Sequence, residues 1–404
     1  MLNPGWMPNG DFVMRARLTP AVLMMLPVAT LAGLGLPTAR PAAHPGPYPA
    51  VRPTASQRVT AYTGYVANQL SGTVTAFDTA TNSTLATINV GGGPDQIVIT
   101  PNGETAYVSN GTNAVIPITT ATNKPGPAIP AGTGAGFVAI TPNGKTAYVA
   151  DGGADTVTPI NTATNKAGAP IPVGASPGYI AITPNGKTAY VTTGGSVTPI
   201  NTATNKPGPA IPIASPGYIA ITPDGKTAYV TSGGSVTPID TASNTAGAAI
   251  NVGGTATEVA IAPDGKTAYV ATGQARAGVV PVHTATNTAG TPIHGTGLAS
   301  LIAIAPNGKT AYVNGVGPRC GIMSVVTVRP IHLATSKVGA TTAIACRGTI
   351  SGIAFTPNSK TAEVVSYMLT FGRFGDVTAI DVATNRATGG AETGQVPVDI
   401  AITP

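Results

Sequence analysis

Tyr179-Ile180-Ala181-Ile182-Thr183-Pro184-Asn185-Gly186-Lys187-Thr188-Ala189-Tyr190-Val191-Thr192 reads as two short β-strands folded back on each other. Both arms are rich in β-branched and aromatic residues, which suit a pleated, half-buried surface. Between them, Pro presets φ for the first turn position and Gly accepts the positive φ that ends the turn. The same motif, P-[ND]-[GS]-[KE]-T-A, begins at Pro101, Pro142, Pro184, Pro223, Pro263, Pro306 and Pro357, and Pro404 stands in the place of an eighth.

Beyond each hairpin comes a third strand, such as Val157-Thr158-Pro159-Ile160, ending in Asn161-Thr162-Ala163-Thr164-Asn165, whose side chains can hydrogen-bond their own turn. A fourth strand is expected over Ala169 to Val173. Four antiparallel strands every 39 to 51 residues is the spacing of a propeller blade, which buries both faces only when neighbours stack on it. The expected fold is therefore all-β, a β-propeller of four-stranded antiparallel blades over residues 60–404, with almost no helix. The first unit starts at its second strand, Tyr65-Val66-Ala67-Asn68, and the last stops after an inner strand, Val398 to Thr403. Pairing of these fragments would complete one blade, close the ring without an open edge and make the count eight.

The strands Tyr107-Val108-Ser109-Asn110, Tyr190-Val191-Thr192-Thr193 and Tyr229-Val230-Thr231-Ser232, with the Pro-Asp-Gly-Lys turns at Pro223 and Pro263, resemble the YVTN family of bacterial β-propeller repeats. The resemblance covers about residues 60 to 404 and implies the fold. In function it implies only a range, from exported binding proteins to lactonase-like enzymes and cofactor-bearing oxidoreductases. Seven blades is the commoner number in that family and is the alternative to eight.

Ahead of the repeats, Arg15 and Arg17 precede an apolar run from Leu18 to Leu36, followed by small residues. This is the layout of an export signal over residues 1–43, translated from Met1 or from Met14, with a Pro-rich linker at 44–59. The protein is expected outside the cell or on its surface. Charged residues are 9% of the chain and the formal net charge is +6, too sparse for the dense basic footprint of nucleic-acid binding. In an oxidising compartment Cys320 and Cys346, the two cysteines, are expected to pair.

Positions alike in every copy serve the scaffold, so chemistry is sought where copies diverge. The turns of the P-N-G side are monotonous. The opposite face carries the varied loops, with long second-to-third connections at Asn314 to Met323 and Ser366 to Asp376. Arg276, Arg319, Arg347 and Arg373 fall on that face with Tyr367, Phe371 and Phe374. Guanidinium forks and aromatic faces suit carboxylate, phosphate or sugar groups, so the expected ligand is a small molecule, glycan or protein that carries them.

A second candidate is the column five residues before each turn proline: Gln96, Phe137, Tyr179, Tyr218, Glu258, Leu301, Gly352 and Asp399. It opens the innermost strands and would ring the channel mouth. Glu258 and Asp399 could act as acid and base only if they converge. His283 and His332 share a column with Asp78, Asn161, Asn201, Asp240 and Asp381, which reads as turn caps and not as a metal site. All ten lysines fall in turns of the monotonous face and would form a basic ring able to attract an anionic wall polymer.

No G-x-S-x-G elbow, HExxH helix, P-loop or dinucleotide fingerprint occurs. The sequence thus points to an exported, monomeric binding or scaffold module without a cofactor. The competing classes are a lactonase-like hydrolase or lyase at the channel mouth and a surface-layer or adhesive structural protein.

Overall fold

The computed structural model describes residues 62–404 except 275–277, 321–322, 347 and 369–374, with the main chain alone at 318–320, 323–324 and 346. The leader and the Pro-rich stretch lie outside the described residues. The chain forms eight antiparallel sheets that follow one another around a ring, and no helix occurs among the described residues.

The hairpin turns form as their residues require. In the third blade the Thr141 hydroxyl donates to Asn143 Oδ1 at 2.8 Å, and the Gly144 N–H donates to the Thr141 carbonyl at 2.8 Å with φ of 71° at Gly144. A β-carbon is disfavoured at that φ, which explains the recurrent glycine.

Blade 3 is Ala135–Ile140, Thr146–Asp151 and Thr156–Asn161, followed by an outer edge in two pieces. The expected fourth strand, Ala169 to Val173, is corrected here. Lys166–Ala167 and Ile171–Pro172 both pair with Thr156–Asn161, and the chain between them leaves the ladder. Prolines at 170 and 172 have no N–H to donate, so the edge is held by short pairings only. Blades 2, 4, 5 and 7 have the same split edge.

Closure occurs as the chain ends suggested. Pro397–Ile402 pairs antiparallel with Thr63–Asn68, with Tyr65 opposite Ala401 and Val66 opposite Ile400. These two strands, with Thr73–Asp78 and Thr84–Asn89, make blade 1. The remaining blades have inner strands beginning at Ile97, Ala135, Ile180, Pro216, Ala256, Ile302 and Thr349.

The core lies between blades. Tyr65, Val74 and Ile88 of blade 1 pack on Ile97, Val108 and Ile118 of blade 2, and comparable clusters fill the other seams. Six of the eight seams also have a polar tie. Tyr107 spans from blade 2 into blade 3 and donates its hydroxyl to Asn165 Oδ1 at 2.6 Å. Tyr65 with Asn123, Tyr148 with Asn205, Tyr190 with Asn244, Tyr229 with Asn287 and Tyr312 with Asn385 repeat the bond at 2.5–2.8 Å. These asparagines sit in the left-handed region, with φ between 52° and 55°, so one residue both makes the turn and receives the neighbouring blade.

The long connections of the irregular face also need correction. Asn314 to Met323 is not a loop: Thr310–Cys320 and Met323–His332 continue as one extended hairpin, with Val316 opposite Val326 and Cys320 opposite Met323. Valines on both arms favour the extended ladder over a coil. In blade 8 the ladder runs on to Tyr367 opposite Gly375, which shortens the expected Ser366 to Asp376 loop.

Candidate functional site

The divergent column lies on, or directly before, the inner strand of each of the eight blades. Phe137, Tyr179 and Tyr218 come from three consecutive blades, 3, 4 and 5. Their rings form one cluster: Phe137 meets Tyr179 edge-on at 5.0 Å, Tyr179 lies 4.4 Å from Tyr218, and Phe137 is 6.4 Å from Tyr218. Edge-to-face and tilted contacts at these distances are attractive beyond the area they bury.

The polar members of the column do a different job. Asp399 Oδ2 accepts the main-chain N–H of Ile97 at 3.0 Å, Gln96 Oε1 accepts that of Val138, and Glu258 Oε2 accepts that of Ile302 at 2.8 Å. In each case a side chain of one blade satisfies a donor on the inner strand of the next. Inner strands have no further strand on their channel side, so such donors need partners of another kind. Much of the polarity of Gln96, Glu258 and Asp399 is therefore structural.

Electrostatics nevertheless draws the column together. The Tyr218 phenol is held well above its ordinary value, first by burial, then by the charges of Glu258 and Asp399, and it donates a hydrogen bond to Glu258. The two carboxylates, which sequence alone could not show to converge, thus act on one phenol. Burial pushes Asp399 up to about 7, the bonds from the Ile97 and Ile400 N–H groups oppose this, and nearby Asp95 adds to the rise. Such a carboxyl is divided between its acid and base forms near neutrality.

Asp95 escaped the sequence reading, although a signal was present. It precedes Gln96 in a column otherwise filled by Gly136, Gly178, Gly217, Thr257, Ser300, Ser351 and Val398, where a carboxylate stands out. Leu301 and Gly352, in the seventh and eighth blades, bring no polar group to the mouth. Gly352 packs so closely on Ile400 that an added Cβ would lie 3.1 Å from its Cγ2.

The arginine cluster cannot be assembled in the same way. Arg276, Arg347, Phe371, Arg373 and Phe374 lie outside the described residues, as does the Arg319 side chain. Tyr367 alone is placed, half-buried at the end of a strand. The expected disulfide also falls outside: Cys320 and Cys346 are described in their main chain only, on strands that both pair with Met323–His332. His283 and His332 end third strands, opposite Thr267 and Thr310, and both are exposed. In the same column Asp78 Oδ1 accepts the N–H groups of Ala80 and Thr81, each at 2.8 Å, which is the turn-capping role. The ten lysines are all exposed, and Lys226 pairs with Asp224 at 3.8 Å.

The chain matches no known family model and no curated protein. Among solved structures it is similar to dihydro-heme d1 dehydrogenase NirN in complex with DHE, at 14% identity and a TM-score of 0.68, over 86% of this chain and 77% of that one. It is also similar to a functionally unknown protein from Desulfotomaculum acetoxidans, at 18% identity and a TM-score of 0.56, over 84% of this chain and 98% of that one. A looser likeness, with a TM-score of 0.48 at 22% identity over 71% of this chain and 76% of that one, is to Kuenenia stuttgartiensis hydrazine synthase. At these identities the first two likenesses bear on the fold alone, and they agree with a β-propeller.

Proposed function

We propose that this chain is an exported, YVTN-like binding propeller whose site is the channel mouth of the irregular face, and whose ligand is a small organic molecule bearing a positive charge. One observation carries the reading: Tyr218 stacks with Tyr179 while it bonds Glu258 and lies in the field of Asp399. Aromatic faces bordered by carboxylates attract cations through the ring quadrupole and by direct charge pairing. Export rests on the layout of residues 1–43, and the same oxidising destination would favour pairing of Cys320 with Cys346.

Calorimetric titration of the full chain with choline, spermidine and arginine, beside neutral and anionic analogues, tests the site. Cationic probes should bind, and Tyr218→Ala should abolish the binding while the thermal transition persists. Binding of anionic probes only, or binding indifferent to Tyr218→Ala, overturns the reading.

A second reading, a lactonase-like hydrolase or lyase, is favoured by Asp399, whose carboxyl can give and take a proton near neutrality. It requires turnover of lactone or uronic-acid substrates that disappears in Asp399→Asn.

A further inference from the structure

Seven blades carry tyrosine at the third position of the second strand: Tyr65, Tyr107, Tyr148, Tyr190, Tyr229, Tyr269 and Tyr312. Blade 8 carries Glu363 there, in Thr361–Tyr367. Where the tyrosine tie to Asn forms, the Asn oxygen accepts the hydroxyl hydrogen bond, and in five seams the same hydroxyl lies 3.2–3.5 Å from a threonine carbonyl three residues earlier. The turn of blade 1 retains the receiving residue, Asn82, with φ of 57° as in its counterparts. Its donor is gone.

Glu363 is wholly buried, and among the described residues neither of its carboxyl oxygens has a hydrogen-bond partner, nor does the buried Asn82 Oδ1. Ala354, Glu363, Ala379 and Gly389 are successive neighbours across the four strands of blade 8. The matching row of blade 3 begins Ala139, Tyr148, Pro159, so both bulky members are smaller in blade 8. The Asn82 amide lies over the far end of the row, with its Nδ2 2.5 Å from where a Gly389 Cβ would stand. Phe77 replaces the Ile or Val of the other third strands and packs with Val66, Val365, Val377 and Ile400. Its ring supplies apolar volume to the seam and no donor.

The place of the missing hydroxyl is therefore bordered by unpartnered oxygens, the Glu363 carboxyl and Asn82 Oδ1, and, by equivalence with the other seams, by the Thr79 carbonyl. A protonated carboxyl offers one donor to several acceptors, and an ionised one is a buried charge without a counter-ion. Unpartnered oxygens are the donors that hard cations select, and a single carboxylate balances a single charge. We propose that the seam between blades 8 and 1 binds one monovalent cation of sodium size, held by Glu363, Asn82 and the Thr79 carbonyl, in the position that a tyrosine hydroxyl takes in the other seams.

Thermal unfolding of the full chain in sodium chloride and in caesium chloride, at equal ionic strength, tests this. Burial pushes the Glu363 carboxyl up to about 8, so the comparison belongs at about pH 9, where the carboxylate is ionised even without a cation. A cation that binds only the folded chain should raise Tm in sodium over caesium by about 2–4 °C. Glu363→Gln should remove the difference, and so should Glu363→Tyr, which restores the residue of the other blades and guards against loss of folding in the first variant. Equal Tm in the two salts, or a difference that survives both substitutions, overturns the site.

Discussion

Asp399, in the strand that closes the ring, accepts the Ile97 N–H of the following blade at 3.0 Å. The closing strand is thereby joined to blade 1 through its ladder and to blade 2 through a side chain. Deleting residues 397–404 should do more than fray an end. It removes the inner strand of blade 1 and exposes the edge of Thr63–Asn68. Size-exclusion chromatography should show aggregation, and the cooperative thermal transition should be lost.

Two buried carboxyls set a pH dependence. Asp399 is pushed up to about 7 and Glu363 up to about 8, from ordinary values of 3.8 and 4.5. The folded chain binds these protons more tightly than the unfolded chain, so their contribution is complete below about pH 4 and is lost as pH rises toward 8. Together the two rises correspond to on the order of 9 kcal/mol across that window. In sodium-free buffer Tm should fall accordingly, and Asp399→Asn and Glu363→Gln should each flatten the profile.

The tyrosine ties are individually measurable. Tyr148→Phe removes the donor to Asn205 and should cost about 1–2 kcal/mol by urea unfolding. Ser336 stands where the seam opposite Tyr269 would have its asparagine, so Tyr269→Phe should cost less.

Glu258 separates scaffold from ligand chemistry. Glu258→Gln retains an acceptor for the Ile302 N–H and should leave stability within about 0.5 kcal/mol. Glu258→Leu leaves that donor without its partner and should cost about 1–3 kcal/mol. Chemical denaturation of the two variants checks the contrast, and the first is then the proper variant for the cation titrations.

The ring was legible because its determinants are local and repeated. A P-N-G turn between β-rich arms forms wherever it occurs, and the complementary fragments at Tyr65 and Val398 leave one way to close. The split outer edge is hidden in the sequence because Pro170 and Pro172 permit an extended chain but deny it a ladder. The extended hairpin at Thr310–Cys320 is not legible in the sequence, because insertion length alone does not distinguish a hairpin from a loop. At the mouth, the column Phe137, Tyr179, Tyr218, Glu258 and Asp399 was visible as divergence among copies. Its use of Asp399 and Glu258 to receive N–H groups from neighbouring blades was not, since that depends on inter-blade register. Glu363 had a plain signal, a charge in a column of tyrosines, whose meaning emerges only when the burial of its position is known.

Because Pro397–Ile402 is the innermost strand of blade 1, the order of biosynthesis and the order of the ring disagree. The blade whose outer strands are made first is the last to be finished, and it must wait through the synthesis of the other seven. Throughout that interval Thr63–Asn68 presents an unpaired edge to a growing chain of near-identical inner strands, each a plausible wrong partner. A correct ring therefore requires Thr63–Asn68 to pair with Pro397–Ile402 and with none of the seven inner strands that lie between them in sequence.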